Sequence, residues 1–415
     1  MRSAIVSTLL ACAAAILSFQ PASAKGALHE KIDLVGLNSV FTSAGIHTTM
    51  KRTSGGSSYI SMEIGDSGLS IVVGGIACAV GACEGFSANA WYNGIASTAA
   101  LMDFNGCCYA RATNESGAQG TRIIGDYLLS GGVSDETILV DLGAFLSGMS
   151  RFAQAQKSGK SVDLKLDDLG ASKAAFGFAS GSPAAELIKQ QFVQPKIDRA
   201  FEAEIVRAAS AAKPAAMAAG APSPAKSSAL FDGVSIGQLQ ATFNSDLNLS
   251  AKTEYTESGI AYLAIPVTGT KGTIFVAGRG CMKERCQGFE YFVLAQNPQI
   301  TDQLANAFNG ECCFSRLVRA SDVVFRLSGD FIAAGGVTQK FLGLTFPSFT
   351  EAIIRLADGL PGKGLAGKVT PGDHFAGTLD FGRLGQALRE SGVAISSELG
   401  PEGQALIGQM AAAPR

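Results

Sequence analysis

The sequence has little charge and no excess of basic residues. Only 16% of its 415 residues are charged, and 33 basic residues stand against 35 acidic ones. A protein that binds nucleic-acid phosphates needs an excess of Lys and Arg, so the composition excludes that class of protein. The low charge and the 47% hydrophobic content also exclude a largely disordered chain. The length is sufficient for two or three domains that each bury a core.

Residues and motifs typical of catalysis are also scarce. The three histidines, His29, His47 and His374, lie outside the two predicted sheets, and none is repeated. An isolated histidine does not indicate a hydrolase triad. No Gly-rich phosphate loop follows a predicted strand. We therefore expect a protein that is not an enzyme, with no catalytic residue and no cofactor.

The one long apolar run lies at the N-terminus and predicts export. It spans residues 4–19 after Arg2, and Pro21 ends it before a small-x-small signature that closes at Ala24. This pattern predicts a signal peptide over 1–24, cleaved after Ala24, and a periplasmic or secreted protein. The run is too short for a stable membrane span, which needs about 20 apolar residues. A lipoprotein-like box ends at Cys12, but apolar residues continue beyond it, so a lipid anchor is the less favoured alternative.

Eight cysteines follow the predicted signal peptide, and their spacing forms two matching sets. Each set is Cys-x4-Cys followed by Cys-Cys: Cys78, Cys83, Cys107 and Cys108, then Cys281, Cys286, Cys312 and Cys313. An even number in an oxidising compartment predicts disulfides. Because neighbouring strand residues point to opposite faces, we expect two bridges per set that join the Cys-x4-Cys turn to the Cys-Cys strand. Pairing within the turn, together with a vicinal pair, is the alternative.

Two reactive uses of these cysteines remain as alternatives. Export and the opposed facing of adjacent cysteines disfavour a four-cysteine zinc site, so we expect no metal. Thiol–disulfide exchange needs a setting that stabilises a thiolate. Arg279 beside the second Cys-x4-Cys would lower a thiol pKa, but Ile76 takes its place in the first set.

A shift of about 204 residues relates further landmarks of the two sets. Phe104-Asn105-Gly106 corresponds to Phe308-Asn309-Gly310, and Gly131-Gly132-Val133-Ser134 corresponds to Gly335-Gly336-Val337-Thr338. We therefore predict two copies of one domain.

The predicted domains and their connections divide the whole chain. The first copy covers 25–155 and the second covers 230–360. Residues 156–229 predict a bridging helix and an Ala/Pro-rich linker, and residues 361–415 form a Gly-rich C-terminal extension.

The residue pattern predicts the same element order, α-β-β-β-α-β-β-α, in both copies. Ile60, Met62 and Ile64 alternate with more polar residues, which is typical of a strand with one apolar face. Ser97 and Ser134 are in position to cap the helices that follow them. We expect an α+β fold in which each copy has an antiparallel sheet with helices on one face.

These landmarks resemble the YbjN family, bacterial domains similar to type III secretion chaperones and described as sensory transduction regulators. The resemblance rests on Cys83 and Cys286 before an apolar strand, on the Phe-Asn pairs, and on the Gly-Gly-Val-Ser/Thr turns before the last helix of each copy. Phe104 and Phe308 stand where the family usually has Trp. The resemblance implies the fold and carries over no catalytic residue.

The predicted signal peptide and the resemblance together imply an exported, non-enzymatic binding protein of the bacterial envelope. Its binding to another polypeptide would be chaperone-like or regulatory, and the partner would be an envelope protein or peptide. A sheet face or a helix groove would accept a polypeptide segment, and two domains would allow bivalent binding. The alternative is an envelope thiol–disulfide redox protein that uses the two cysteine sets.

Overall fold

The protein is a mixed α+β structure. The computed structural model describes residues 26–64, 69–79, 81–115, 120–159, 183–194, 199–210, 230–311, 314–360 and 381–412. These ranges contain ten helices and three sheets, all of them antiparallel. Three predicted features, the cleavage site after Ala24, the box at Cys12 and the pair Cys312–Cys313, lie outside the described residues.

The first half of the chain, residues 26–210, contributes five helices and ten strands to the described structure. The helices are α1 (Leu34–Ser43), α2 (Thr98–Cys107), α3 (Asp135–Ser158), α4 (Pro183–Gln191) and α5 (Arg199–Ser210). The strands are β1 (Leu28–His29), β2 (Ile32–Asp33), β3 (Thr48–Arg52), β4 (Ser58–Glu63), β5 (Ser70–Ala79), β6 (Ala82–Tyr92), β7 (Arg111–Asn114), β8 (Thr121–Leu128), β9 (Val133–Ser134) and β10 (Phe192–Val193).

The second half, residues 230–412, contributes five helices and seven strands. The helices are α6 (Ile236–Asp246), α7 (Asp302–Glu311), α8 (Gln339–Gly359), α9 (Phe381–Ser391) and α10 (Pro401–Ala411). The strands are β11 (Lys252–Tyr255), β12 (Ala261–Pro266), β13 (Thr273–Met282), β14 (Arg285–Gln296), β15 (Arg316–Arg319), β16 (Phe325–Ile332) and β17 (Ala394–Ile395).

The two large sheets have equivalent strand orders. The first sheet runs β3-β4-β5-β6-β8-β7, and the short strands β2 and β10 also pair with β6. The second sheet runs β11-β12-β13-β14-β16-β15, and β17 also pairs with β14. Strands β1 and β9 form a separate two-stranded sheet. The predicted α+β class with antiparallel sheets is therefore confirmed.

Besides the two-residue strands β1, β2 and β9, the predicted element order missed one longer strand in each half. Four strands, and not three, separate α1 from α2 and α6 from α7. The missed strands, β3 and β11, form the edges of their sheets and are mostly exposed. Because neither strand has a buried face, its sequence lacks the alternation of apolar and polar residues by which a half-buried strand is recognised.

The helix caps lie where the sequence predicts them. The side chain of Ser97 accepts a hydrogen bond from the Ala100 N–H at the start of α2. Ser134 caps α3 in the same way, and Thr338 caps α8. These caps satisfy N–H groups that have no partner within the helix and thereby determine where each helix begins.

The inner face of each sheet packs against the long helix of its own half. In the first sheet this face carries Ile60, Ile71, Val73 and Phe86, which are all 0% exposed. Helices α1 and α3 cover it, and α6 and α8 cover the corresponding face of the second sheet. The inner faces of both sheets belong to one continuous hydrophobic core.

The prediction of helices on only one face of the sheet is wrong. Helix α5 packs on the outer face of the first sheet, and α10 packs on the outer face of the second. Tyr59 and Ser61, which alternate with Ile60 and Met62 and lie on the other face, are only 6% and 4% exposed. The outer faces carry aromatic residues of their own, so each must also be covered.

Equivalent elements also lie beyond both predicted domains. Helix α4, strand β10 and helix α5 occur within the predicted bridge, and α9, β17 and α10 occur within the predicted C-terminal extension. Phe192 of β10 pairs with Tyr92, and Ile395 of β17 pairs with Ala295. A shift of 203 residues relates both partners in these pairs, so the two segments occupy corresponding places on the two sheets.

The halves meet through reciprocal contacts of their Gly-Gly loops. The hydroxyl of Ser134 donates to the Gly335 carbonyl at 2.8 Å, and the hydroxyl of Thr338 donates to the Gly131 carbonyl at 2.5 Å. Each loop thus lies against the start of the long helix in the other half. Such self-complementary contacts are typical of an interface with two-fold symmetry.

A substitution at Gly335 tests the contact between the halves, because the loop has no room for a side chain at that position. Its φ is +89°, and a Cβ atom would lie 2.6 Å from the Thr137 nitrogen. We expect Gly335→Ala to lower the free energy of unfolding by about 2 kcal/mol or more, since both the backbone and the contact oppose it. Chemical denaturation measures this change. Gly343→Ala is the control, because no atom lies within 4 Å of its added Cβ; an equal loss in both variants would contradict the expectation.

Candidate functional site

The described cysteines pair locally. Cys78 lies opposite Cys83 across the β5–β6 hairpin, Cys281 lies opposite Cys286 across β13–β14, and both pairs form disulfides. Cys107 and Cys108 form a vicinal disulfide. The expected bridges from the turn to the Cys-Cys strand are therefore wrong in both halves, and the first half has the alternative pairing instead.

The physical reason for this error is the position of the Cys-Cys pair. Cys107 is the last residue of helix α2, and strand β7 begins only at Arg111. The rule that neighbouring strand residues face opposite ways does not apply there. Within the hairpins, by contrast, opposed residues on antiparallel strands bring their Cβ atoms close enough to bond.

Each hairpin disulfide lies over a glycine three residues before its first cysteine. A Cβ atom at Gly75 would collide with the sulfurs of Cys78 and Cys83. A Cβ atom at Gly278 would collide with the sulfurs of Cys281 and Cys286 in the same way. The motif in both halves is therefore Gly-x2-Cys-x4-Cys, and the glycine leaves room for the sulfur atoms.

Substitutions at two neighbouring glycines test whether the hairpin disulfide needs the space that Gly75 leaves. We expect Gly75→Ala to leave the thiols of Cys78 and Cys83 free and to destabilise the fold by about 2 kcal/mol, the magnitude of a short disulfide loop. Gly74→Ala should keep the bridge, because nothing lies within 4 Å of its added Cβ. Alkylation of the denatured, unreduced protein followed by peptide mapping distinguishes the two variants. A Cys78–Cys83 bridge at wild-type yield in Gly75→Ala would refute the requirement.

The vicinal disulfide is buried between the two halves. Cys107 and Cys108 are 3% and 1% exposed. The Arg279 side chain reaches over from the second half, and its Nη2 donates to the Cys107 carbonyl at 2.7 Å. The same guanidinium lies 4.5 Å from the centre of the Tyr109 ring. Arg279 therefore binds the loop that holds the vicinal pair, and burial hinders attack on these sulfurs by another thiol.

Arg279 belongs to a cluster of buried charges at the same interface. We define the arginine cluster as Arg111, Asp126, Arg279, Glu290, Arg316, Arg326 and Asp330, whose side chains are all less than 10% exposed. Arg111 pairs with Asp126 at 2.7 Å in the first half. Arg316 pairs with Asp330 in the second half, and Arg279 pairs with Glu290 at 3.1 Å.

The arginines outweigh the desolvation of the buried carboxylate in this cluster. Burial by itself raises the pKa of Glu290, but the charges of Arg326, Arg279 and Arg316 hold that pKa below its usual value. Burial lowers the pKa of Arg316 to about 9, against the opposing effect of Glu290. These groups are therefore charged at neutral pH and depend on each other for compensation.

A small cavity lies beside the arginine cluster. It measures about 30 Å³, and its lining includes Tyr109, Ser315 and the ion pairs Arg111–Asp126 and Arg316–Asp330. That volume accommodates water, whereas small-molecule sites typically have about 300–1,000 Å³. The cavity is suited to hydrating the buried charges and is too small for an organic substrate.

The arginine cluster was not predicted from the sequence, although the sequence contains a signal for it. Arg122 and Asp126 on β8 correspond to Arg326 and Asp330 on β16 at a shift of 204 residues. Residues four apart on a strand share a face. A repeated Arg-x3-Asp within otherwise apolar strands therefore indicates a face that is buried against charged partners.

Two buried carboxyls should change stability in opposite directions with pH. Burial raises the pKa of Asp141 on α3, which is 4% exposed, well above its usual value. The folded protein then binds a proton that the unfolded chain loses above about pH 4, so Asp141 destabilises the fold increasingly as pH rises. We expect Asp141→Asn to stabilise the protein at pH 7, with the gain shrinking toward pH 4.

Glu290→Gln should show the opposite effect, since the lowered pKa of Glu290 provides stability at neutral pH that is lost as pH falls below about 4. At pH 7 we expect a loss of about 3 kcal/mol, the cost of leaving buried arginines uncompensated. Urea unfolding of both variants between pH 3 and pH 8 measures the two profiles. Profiles parallel to that of the wild type would contradict both assignments.

The outer face of the first sheet forms an apolar groove that α5 fills. We define the first groove as Tyr59, Val72 and Trp91, which are 6%, 1% and 7% exposed. Phe201 and Ile205 of α5 pack into it, and the Phe201 ring meets the Trp91 ring edge-on at 4.8 Å. These side chains lie four apart on the helix and therefore share one face.

The outer face of the second sheet forms a corresponding groove that α10 fills. We define the second groove as Tyr262, Phe275 and Phe292, with Phe275 and Phe292 stacked at 5.4 Å. Ile407 and Met410 of α10 pack on these rings and are 0% and 4% exposed. Each large sheet thus carries one amphipathic helix on the face away from the main core.

Two further kinds of site are absent from the described part of the chain. Within the described ranges, no three His, Cys, Asp or Glu side chains converge as a metal site would require. No helix in these ranges combines the length and the apolar character needed to cross a bilayer.

No family model matches the sequence, and neither a curated protein nor a solved structure matches it. The resemblance to the YbjN family therefore stays a prediction that rests on the residues that carry it.

Proposed function

We propose that this chain is an exported, non-enzymatic protein of the bacterial envelope that binds another polypeptide in a chaperone-like or regulatory role. The observation that carries the proposal is the presence of an amphipathic helix in an aromatic groove on the outer face of each large sheet. A surface that binds helices of its own chain has the chemistry to bind a similar helix from a partner.

We also propose that the chain is a tandem pair of YbjN-like domains. The equivalent strand orders, the reciprocal Gly-Gly contacts and the two hairpin disulfides support this duplication. The equivalent α4-β10-α5 and α9-β17-α10 segments support repeat units longer than 25–155 and 230–360, each ending with its groove helix. Two grooves on one chain would allow a partner to bind at both.

The disulfides support export and a bracing role. Three disulfides within the described residues are expected in an oxidising compartment, which fits the predicted signal peptide. The alternative of a redox protein has less support, because the vicinal pair is buried under Arg279. The small volume of the cavity beside the arginine cluster supports a role without a small substrate.

Photo-crosslinking in the envelope tests the proposed function. Lys51 and Lys252 are exposed, and each pairs on an edge strand with a residue of the outer face, Tyr59 and Ala264 respectively. A photoreactive amino acid at either position should crosslink to the same partner polypeptide, identified by mass spectrometry. Val35, 64% exposed on α1 at the inner side of the sheet, is the control position.

The crosslinking yields at positions 51, 252 and 35 show whether the partner binds at the grooves. We expect adducts from positions 51 and 252 and none from position 35. Equal adducts from all three positions, or none from the two lysine positions in cells that express the protein in the envelope, would contradict binding at the grooves.

A further inference from the structure

The two groove helices bind the same backbone group of their sheets. The Glu202 carboxylate on α5 accepts a hydrogen bond from the Ser54 N–H at 3.0 Å. The Gln404 amide oxygen on α10 accepts one from the Glu257 N–H, also at 3.0 Å. Ser54 lies between β3 and β4, and Glu257 lies between β11 and β12. These positions are related by the shift of 203 residues that also relates Tyr59 to Tyr262.

In both helices an isoleucine follows the hydrogen-bond acceptor by three residues. Ile205 follows Glu202, and Ile407 follows Gln404, and each isoleucine is buried in its groove. Residues three apart lie on the same face of a helix, so one helical face carries both contacts. The shared motif is Glx-Ala-x-Ile, at 202–205 and at 404–407.

Outside this motif the sequences of the two helices differ. Around the motif, α5 reads Arg-Ala-Phe before it and Val-Arg-Ala after it, whereas α10 reads Pro-Glu-Gly and Gly-Gln-Met. Two helices with different flanking sequences thus share one acceptor and one buried isoleucine. The acceptor and the isoleucine are therefore the two contacts common to both grooves, and the flanking residues differ between the two helices.

The first groove and α5 share an apolar cluster of their own. Its apolar cluster consists of Tyr59, Val72, Trp91, Phe201 and Ile205 and is separate from the main core. In the second groove, Ile407 and Met410 pack on three aromatic side chains, and Leu399 and Leu406 add to the contact. A 12-residue helix is only marginally stable without its packing surface, so the contacts with this groove decide whether α5 stays helical and in place.

We propose that the first groove is a binding site for an amphipathic helix of a partner polypeptide that carries Glx-x-x-Ile, and that α5 is the internal occupant which this helix displaces. A large apolar residue directly before Glx, like Phe201, completes the match, because its ring would pack against Trp91. This inference rests on the proposed function and adds to it the sequence that the partner presents.

Trp91 provides a direct measurement, because it is the only tryptophan of the chain. In the full chain, Phe201→Ala with Ile205→Ala should empty the first groove, shift the Trp91 emission to the red and increase its quenching by acrylamide. A synthetic peptide with the sequence of residues 199–210 should then bind saturably and reverse both changes. A peptide with the sequence of residues 401–411, which carries the second copy of the motif, should bind as well.

Altered peptides test the two contacts. Replacing the residue that corresponds to Glu202 or Gln404 by Ala should weaken binding about tenfold, as expected for one lost hydrogen bond to a charged or amide acceptor. Replacing the isoleucine should weaken it at least as much. As a control in the protein, Ile407→Ala alters the second groove and should leave the emission of Trp91 unchanged.

Several outcomes would overturn the inference. One is a folded double variant that binds neither peptide, and another is equal binding of the peptides without Glx or isoleucine. Dimers of the wild type that exchange α5 between two copies, seen by sedimentation, would identify a second copy as the occupant and would also contradict it.

Hydrogen exchange of the wild type decides the question if the double variant does not fold. The amides of α5 should exchange through a local opening, at denaturant concentrations where the inner core remains protected. Exchange of α5 only with global unfolding would overturn the inference. If the peptides bind the groove in solution but no envelope crosslinks form, the proposed function fails while this inference stands.

Discussion

Both faces of each large sheet must be kept from water, and this requirement determines the arrangement of the chain. The inner faces are apolar and share one continuous core with the long helices α3 and α8. Each outer face has two parts: the strands at one end carry buried charges that meet the other half, and the central strands carry the aromatic groove. Helices α1 and α3 cover only the inner face of the first sheet, and α6 and α8 cover only that of the second. The opposing half and the groove helices cover the remainder, so the assembly of the halves and the occupation of the grooves follow from one constraint.

The interface between the halves combines near-symmetry with one asymmetric ion pair. The Gly-Gly loops contact each other reciprocally, and Arg122 and Arg326 donate to the carbonyls of Gly310 and Gly106. Arg279 breaks this symmetry, since Ile76 holds its place in the first half. Its guanidinium binds the Cys107 carbonyl and compensates Glu290, whose counterpart at a shift of 203 residues is Ser87. The added ion pair gives the two halves different surfaces, which favours pairing of unlike halves over pairing of like ones.

Much of the fold could be predicted because its signals are local. The caps at Ser97, Ser134 and Thr338 depend on a side chain and an N–H three residues away, and both are visible in the sequence. The edge strands β3 and β11 were not predictable from periodicity, because an exposed strand imposes no alternation. The disulfide pairing failed at Cys107 for a related reason: its facing depends on where α2 ends, and a helix end shifts by a residue or two with its surroundings. The grooves could not be recognised, since Tyr59 and Trp91 only become a binding surface once β4 and β6 are placed on either side of β5.

The amino-acid sequence by itself determined the class of fold, the repeated cysteine and glycine landmarks, and most helix starts. These features depend on the period of apolar residues and on contacts within one or two turns of the chain. The tertiary structure alone decided that charges from β7, β8, β13, β14, β15 and β16 would compensate each other across an interface. It also decided that the Glx and Ile of α5 and of α10 would meet equivalent N–H groups and aromatic rings. The hydrogen bonds of the Glx residues join groups 148 and 147 positions apart, and only the packing of each helix on its own sheet brings such distant groups within hydrogen-bond distance.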